Sequence, residues 1–160
     1  MVEWRPGGEV VSLVNLSARR HTEGEESSAA MPYLHFDLPA RYPAETKRAL
    51  AARLGALYAQ MMETSPSIVK VSFRELGEDN LFRCGAPDGG VEPVVVGQCD
   101  IRRGRPVEQR AALAAGIVGA CSEALGVDAA SIELEFTQHA GDEMYRRGSF
   151  ARDWTAAEST

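Results

Sequence analysis

The chain has 160 residues, a length that a single folded domain accounts for. Its hydrophobic fraction of 44% and charged fraction of 25% exclude wholesale disorder. The net charge of -6 argues against a nucleic-acid partner, and no apolar stretch approaches the ~18 residues of a membrane-spanning helix. Three cysteines cannot all pair, and neither they nor the three histidines have a metal-ligand spacing. We therefore expect a cytoplasmic protein with no metal, no cofactor and no membrane partner.

Residues 1–30 differ in character from the rest of the chain. They contain one short apolar run, residues 10–16, and a polar stretch that lacks the cleavage site of a secretory signal. They are read as a disordered tail, as a pairing strand, or as a segment absent from the native protein, because Met31 directly precedes the first strand-like run. We accordingly treat 1–30 as an extension and 31–160 as one domain.

An internal repeat organises the remainder. When the sequence is shifted by 63 positions, residues 32–73 fall on residues 95–136 without a gap and with eight identities in 42 positions. Such a registration of strand, helix start and second strand indicates two copies of one structural unit.

Each copy predicts a β-α-β unit, the first over 32–76 and the second over 94–137. Pro43 and Pro106 stand where a helix tolerates proline, in its first turn, and the apolar residues that follow recur with helical spacing. The predicted fold is α+β, with two tandem β-α-β units forming a four-stranded sheet and both helices on one face. The predicted strands are 33–38, 68–73, 94–101 and 132–136, with a loop over 77–93 and a short helix over 141–147 before a tail that carries Phe150 and Trp154.

Four stretches of the chain resemble the tautomerase superfamily, whose fold is shared by 4-oxalocrotonate tautomerase and macrophage migration inhibitory factor. They are MPYLHFDL (31–38), VSFRELGEDNLFRCG (71–85), DIRRGRPVEQ (100–109) and IELEFTQHAGDEMYRRG (132–148). Within the superfamily the chain looks most like the cis-3-chloroacrylate dehalogenase-like tautomerases. The resemblance covers residues 31–150 and implies a homotrimer, since relatives with two units in one chain usually form trimers.

The resemblance implies that Pro32 is the catalytic residue, because these enzymes use an amino-terminal proline. An internal proline nitrogen is an amide with no useful basicity, so this role requires Met31 to be the initiator and to be removed. A free α-amino group has a pKa near ~8, and burial and nearby cations lower it towards neutrality, where a general base works best. The alternative is that Pro32 only begins a strand.

Arg102 and Arg105 form the second candidate group, on the turn between a predicted strand and the helix that follows Pro106. Guanidinium groups beside a helix N-terminus suit a planar carboxylate, and the resemblance implies that this pair binds the substrate carboxylate. The alternative is a solvated basic turn.

The chain also departs from the dehalogenase pattern. Arg146 stands in place of the family's water-activating glutamate, Glu135 in place of its tyrosine, and Tyr58 in place of a histidine. These three are further candidate site residues, although Tyr58 also fits the core face of its helix and Glu135 fits a solvent-facing strand position.

The expected activity is therefore that of a cofactor-independent tautomerase, an isomerase that acts on a small carboxylate-bearing enol or 2-keto acid. One alternative is a hydratase or dehalogenase of 3-haloacrylate-type unsaturated acids. The other is a non-catalytic binding or assembly module, if residues 1–31 are retained.

Overall fold

The computed structural model of the protein describes residues 31–85, 90–146 and 148–159, so the predictions for residues 1–30 lie outside the described residues. A four-stranded mixed sheet and two helices form its main body. The strands are β1 (Tyr33–Leu38), β2 (Lys70–Glu75), β3 (Phe82–Cys84), β4 (Val91–Pro93), β5 (Val95–Arg102), β6 (Ile132–His139), β7 (Tyr145–Arg146) and β8 (Ser149–Phe150), and the helices are α1 (Ala44–Met61) and α2 (Val107–Leu125).

The main sheet has the strand order β2-β1-β5-β6. β1 runs parallel to β2 and β5 runs parallel to β6, while the two central strands β1 and β5 are antiparallel, with Tyr33 opposite Asp100. The amino-terminal end of β1 and the carboxyl-terminal end of β5 consequently meet at the same edge of the sheet, meaning the edge formed by the ends of its strands. That edge holds the site described below.

One face of the sheet packs against both helices. Alternate β1 residues Leu34, Phe36 and Leu38 are completely buried, which is the period of two expected of a strand with one covered face. The two helices also pack against each other, and their buried residues join those of β1 and β5 in one hydrophobic core. The predicted α+β class with a four-stranded sheet and two helices is confirmed.

Both helices begin one residue after a proline, Pro43 for α1 and Pro106 for α2. The proline ring fixes φ and lacks an N–H, which suits it to the start of a helix, where that donor has no intrahelical partner. Shifting α1 by 63 positions places it on residues 107–124, within α2.

Three predicted elements differ from the structure. The second strand begins at Lys70, because Pro66–Ile68 form a turn of 3-10 helix that buries Ile68 before the strand starts. The predicted loop over 77–93 contains the antiparallel hairpin of β3 and β4. The predicted helix over 141–147 is wrong: Gly141–Glu143 make a single 3-10 turn, and β7 and β8 then pair as a second hairpin.

The first hairpin owes its position to contacts that local sequence does not encode. Arg83 of β3 donates hydrogen bonds to Glu133 of β6 (2.8 Å), to Glu92 of β4 (2.9 Å) and to the carbonyl oxygen of Ala130 (2.6 Å). One side chain thus joins both hairpin strands to β6, an outer strand of the main sheet.

Candidate active site

Pro32 is buried immediately before β1, at the sheet edge where β5 ends. Its carbonyl oxygen accepts a hydrogen bond from the backbone N–H of Lys70 at 3.1 Å, which extends the pairing of β1 with β2 by one step. Continuing the β1–β5 register by one residue beyond Tyr33 and Asp100 would place Pro32 opposite Ile101. Pro32 therefore lies beside the end of β5 that carries Arg102.

Arg102 and Arg105 are the two buried charged residues in the described part of the chain, with exposed fractions of 7% and 9%. Arg102 is the last residue of β5, and Arg105 stands one residue before Pro106 on the turn into α2. Charged side chains are rarely buried unless they are paired or hydrogen-bonded, because their desolvation costs free energy. The alternative interpretation, a solvated basic turn, is wrong.

Tyr58 lies with these arginines beneath the sheet edge. Its side chain is only 5% exposed, and it is close enough to both guanidinium groups for their charges to act on its hydroxyl. Burial raises the pKa of Tyr58 to about 12, although Arg105 and Arg102 act in the opposite direction. At neutral pH this hydroxyl is a hydrogen-bond donor and not a base.

A short segment after β8, residues 151–154, crosses the arginine turn, and we call it the strap. The Arg105 guanidinium carbon lies 4.2 Å from the centroid of the Trp154 ring, and Arg102 Nη1 donates to the carbonyl oxygen of Arg152 at 3.1 Å. The strap therefore contributes to the burial of both arginines.

Glu135 does not lie beside Arg102, Arg105 and Tyr58 in the folded chain. It is exposed on β6 opposite Gln98, four residues before His139, which pairs with Arg102. At about 3.3 Å per strand residue it lies about 13 Å along β6 from the sheet edge. Arg146 belongs to β7, and its side chain lies outside the described residues.

Other chemistry finds little support in the described ranges. No group of three His, Cys, Asp or Glu side chains in those ranges is arranged to hold a metal ion. Burial raises the pKa of Cys99 and of Cys121 to about 12, which leaves both thiols unreactive at neutral pH. Among the described helices, none is long and apolar enough to span a membrane.

The chain shares its α+β fold with several solved structures. Solved structures that match it include N1, a member of the cis-3-chloroacrylic acid dehalogenase family, at 22% identity and a TM-score of 0.69, covering 79% of this chain and 87% of that one. A second is Pt0534 inactivated by 2-oxo-3-pentynoate, at 22% identity and a TM-score of 0.65, covering 74% and 94%. A third is a fused 4-OT symmetric trimer, at 20% identity and a TM-score of 0.66, also covering 74% and 94%.

These structures confirm the resemblance to the tautomerase superfamily at the level of the fold. No protein-family model matches the chain, and no curated protein matches it. The activity is therefore argued from the site itself.

From the sequence, Pro32 and the two arginines are proposed as site residues, but the contact of the strap with the arginines is not predicted. The sequence leads us to expect an aromatic on such a tail to dock on a partner subunit or on the chain's own core, whereas the Trp154 ring lies under the guanidinium of Arg105. The sequence feature that points to this contact is Gly104, which lies between the two arginines. Its φ of +111 favours glycine, and the lack of a Cβ atom lets the backbone of Trp154 approach closely.

Proposed function

We propose that this protein is a cofactor-independent tautomerase that acts on a small carboxylate-bearing enol or 2-keto acid. The observation that carries the proposal is the burial of two arginines at the sheet edge where Pro32 lies. A buried guanidinium pair provides a binding site for one planar anion, and a carboxylate matches it in charge and shape.

The proposed reaction moves one proton. The Pro32 nitrogen, as a free secondary amine, takes a proton from the carbon next to the substrate carbonyl, so that a C–H bond breaks and an N–H bond forms. The same proton then passes to the enolate oxygen, an O–H bond forms and the amine is regenerated, and an enol substrate follows the reverse path. Arg102 and Arg105 hold the substrate carboxylate and stabilise the negative charge of the enolate. Tyr58 donates a hydrogen bond to the substrate carboxylate.

This role requires a chain that begins at Pro32, since the Pro32 nitrogen of the 160-residue chain is bonded to Met31 and cannot accept a proton. We propose that Met31 is the initiator and is removed.

Assembly and compartment are part of the same proposal. One of the matched structures is a fused 4-OT in the form of a symmetric trimer, and we propose for this protein a homotrimer built from chains with two β-α-β units each. The described cysteines are all free thiols, which fits a reducing cytoplasm.

Two alternatives remain within reach of experiment. N1 belongs to a dehalogenase family, so hydration or halide release from 3-haloacrylates is the alternative activity. Product analysis separates the two, because halide release or hydration faster than tautomerisation favours the dehalogenase. If residues 1–31 are retained, the protein is a non-catalytic binding or assembly module.

The test is covalent labelling with 2-oxo-3-pentynoate, the compound that inactivates Pt0534. A free amine adds to its triple bond, an N–C bond forms, and the amine proton moves to the neighbouring carbon. Nothing leaves, so the protein gains the mass of the whole inhibitor. We expect one adduct on Pro32 and loss of activity in a chain that begins there. A Cys84→Ser variant controls for the exposed thiol, and an adduct confined to Cys84 in active protein would count against the proposal.

A further inference from the structure

The strap is fixed to the molecule by backbone hydrogen bonds at both ends. Ala151 donates to the carbonyl oxygen of Met144 at 2.9 Å, and Trp154 donates to that of Arg103 at 3.0 Å. Between them, the Asp153 carboxylate accepts a hydrogen bond from the backbone N–H of Gly141 at 2.7 Å. The strap therefore joins the turn between β5 and α2 to the segment that follows β6.

Two glycines permit this close approach. A Cβ atom placed on Gly104 would lie 2.3 Å from the carbonyl oxygen of Trp154, and one placed on Gly141 would lie 2.1 Å from the carbonyl carbon of Arg152. Both obstacles are backbone atoms, which cannot move aside as a flexible side chain can. The strap position is thus specified by residues in two separate parts of the chain.

The strap contacts the two arginines in different ways. The Arg105 guanidinium carbon lies over the face of the Trp154 ring, while the Arg152 carbonyl accepts from one nitrogen of Arg102. A cation over an aromatic face is attracted by the electrons of the ring and needs no hydrogen-bond acceptor there. The ring therefore holds the Arg105 head group in place without supplying an oxygen or nitrogen acceptor to its N–H groups.

We infer that Trp154 is a positioning and specificity residue of the carboxylate site. This inference rests on the proposed role of Arg102 and Arg105 in binding the substrate. Trp154 holds the Arg105 head group in the place where it accepts a carboxylate, and it covers one side of the guanidinium. An arginine already ordered before binding loses less conformational freedom when the substrate arrives, which strengthens binding of the ground state and the transition state alike.

The kinetic test compares Trp154→Ala with Trp154→Phe in a chain that begins at Pro32. For a 2-keto acid substrate we expect Trp154→Ala to raise KM about three- to tenfold with kcat changed less than twofold, and Trp154→Phe to restore part of the loss. The methyl ester of the same substrate lacks the carboxylate and should show no change in KM. Phe150→Ala is the matched control, because Phe150 is an exposed aromatic whose described ring contact is an edge-to-face one with Tyr145.

Unchanged KM for the acid in Trp154→Ala, or an equal loss on acid and ester, would overturn the inference while leaving the proposed function standing. Unchanged KM in Arg102→Ala and Arg105→Ala would instead remove the arginines from the site, and the positioning role with them.

A second readout, the fluorescence of Trp154, does not depend on turnover. Trp154 is the only tryptophan of a chain that begins at Pro32, since the other is Trp4.

Titration with pyruvate, a small 2-keto acid, should therefore change the fluorescence of Trp154, and Arg105→Ala should abolish that change. A fluorescence response of the same size and midpoint in Arg105→Ala would show that Trp154 does not report on the arginine, which overturns the inference. Gly104→Ala provides a variant that keeps the side chains of Trp154 and both arginines but displaces the strap and strains the turn between the arginines, since Gly104 has φ +111. It should raise KM for the acid as Trp154→Ala does, and a normal KM in a folded Gly104→Ala protein would contradict the role of the strap.

Discussion

The two turns that lead from a central strand into a helix are equivalent in the 63-residue shift but differ in chemistry. Where the second turn has Arg102 and Arg105, the first has Pro39 and Tyr42. Because β1 and β5 are antiparallel, the two turns lie at opposite edges of the sheet. The same backbone plan thus produces one edge with a buried cationic pair and one edge without it.

The partners of the two turns differ as well. In the first turn, the backbone N–H of Tyr42 donates to Glu75 at 2.7 Å, and Lys47 pairs with the same carboxylate at 2.7 Å. In the second turn, the strap lies across the arginines. A carboxylate of the protein itself therefore serves the first turn, whereas an aromatic ring and a carbonyl oxygen of the strap contact the arginines of the second turn.

The largest difference between the edges should appear when the arginines are removed. Arg102→Ala or Arg105→Ala takes away a charge-assisted hydrogen bond, so we expect KM for a carboxylate substrate to rise about ten- to a hundredfold. Arg41→Ala on the first turn is the matched control, since Arg41 is exposed there. Steady-state kinetics on all three variants check this, and equal effects at both turns would mean that the edges are not functionally distinct.

A smaller effect is expected at the hydroxyl beneath the arginines. Tyr58→Phe removes one neutral donor, so KM for the acid should rise about three- to tenfold. Because burial raises the pKa of Tyr58 to about 12, its hydroxyl stays protonated throughout the neutral range and the ratio of wild-type to variant KM should not vary with pH there. Tyr42→Phe at the opposite edge is the control. A ratio that changes with pH around neutrality would show that Tyr58 titrates in the site.

The smallest effect concerns stability at the equivalent strand positions Asp37 and Asp100. Burial alone would raise the pKa of Asp37, but hydrogen bonds from Arg74 and His35 hold it below its usual value. The carboxylate therefore stabilises the fold above its unfolded-state pKa of about 3.9, and this contribution is lost as the pH falls through the lower folded-state pKa.

Asp37→Asn should lower the Tm by at most a few degrees at neutral pH, because Arg74 is largely exposed and such pairs contribute about 0–1 kcal/mol. The difference should vanish in acid. Asp100→Asn should change the Tm less, since the ion pair of Asp100 within the described residues is a longer one, 3.5 Å from His139. Thermal melts at both pH values check this, and a deficit that persists in acid would assign the effect to packing.

The sequence predicted β1 and the two helix starts closely, because a two-residue alternation and a helix-starting proline are local signals. It failed for 77–93 and 141–147, where structure depends on distant partners. The three-residue strands of the first hairpin have exposed ends, and Arg83 connects them to β6 some 50 residues away. The segment at Gly141 packs closely against the backbone of the strap, about ten positions later in the chain.

The candidate site likewise has a part that the local sequence predicts and a part that depends on distant residues. The pattern of residues 100–109 identified the arginines, but nothing local indicates that they are buried, since residues of the strap almost 50 positions later contribute to that burial. Pro32 is the opposite case: its place at the sheet edge follows from the strand pattern, and its chemistry depends on where the chain begins.

The most direct test of that chemistry compares two chains, one beginning at Pro32 and one retaining all 160 residues, in the same tautomerase assay. General acid–base catalysis contributes about 10²- to 10⁴-fold, so the chain with a free Pro32 amine should exceed the full chain in kcat by at least about a hundredfold. Its rate should rise with pH as the amine loses its proton. Equal activity in a full chain whose intact mass shows Met1 still present would contradict the account.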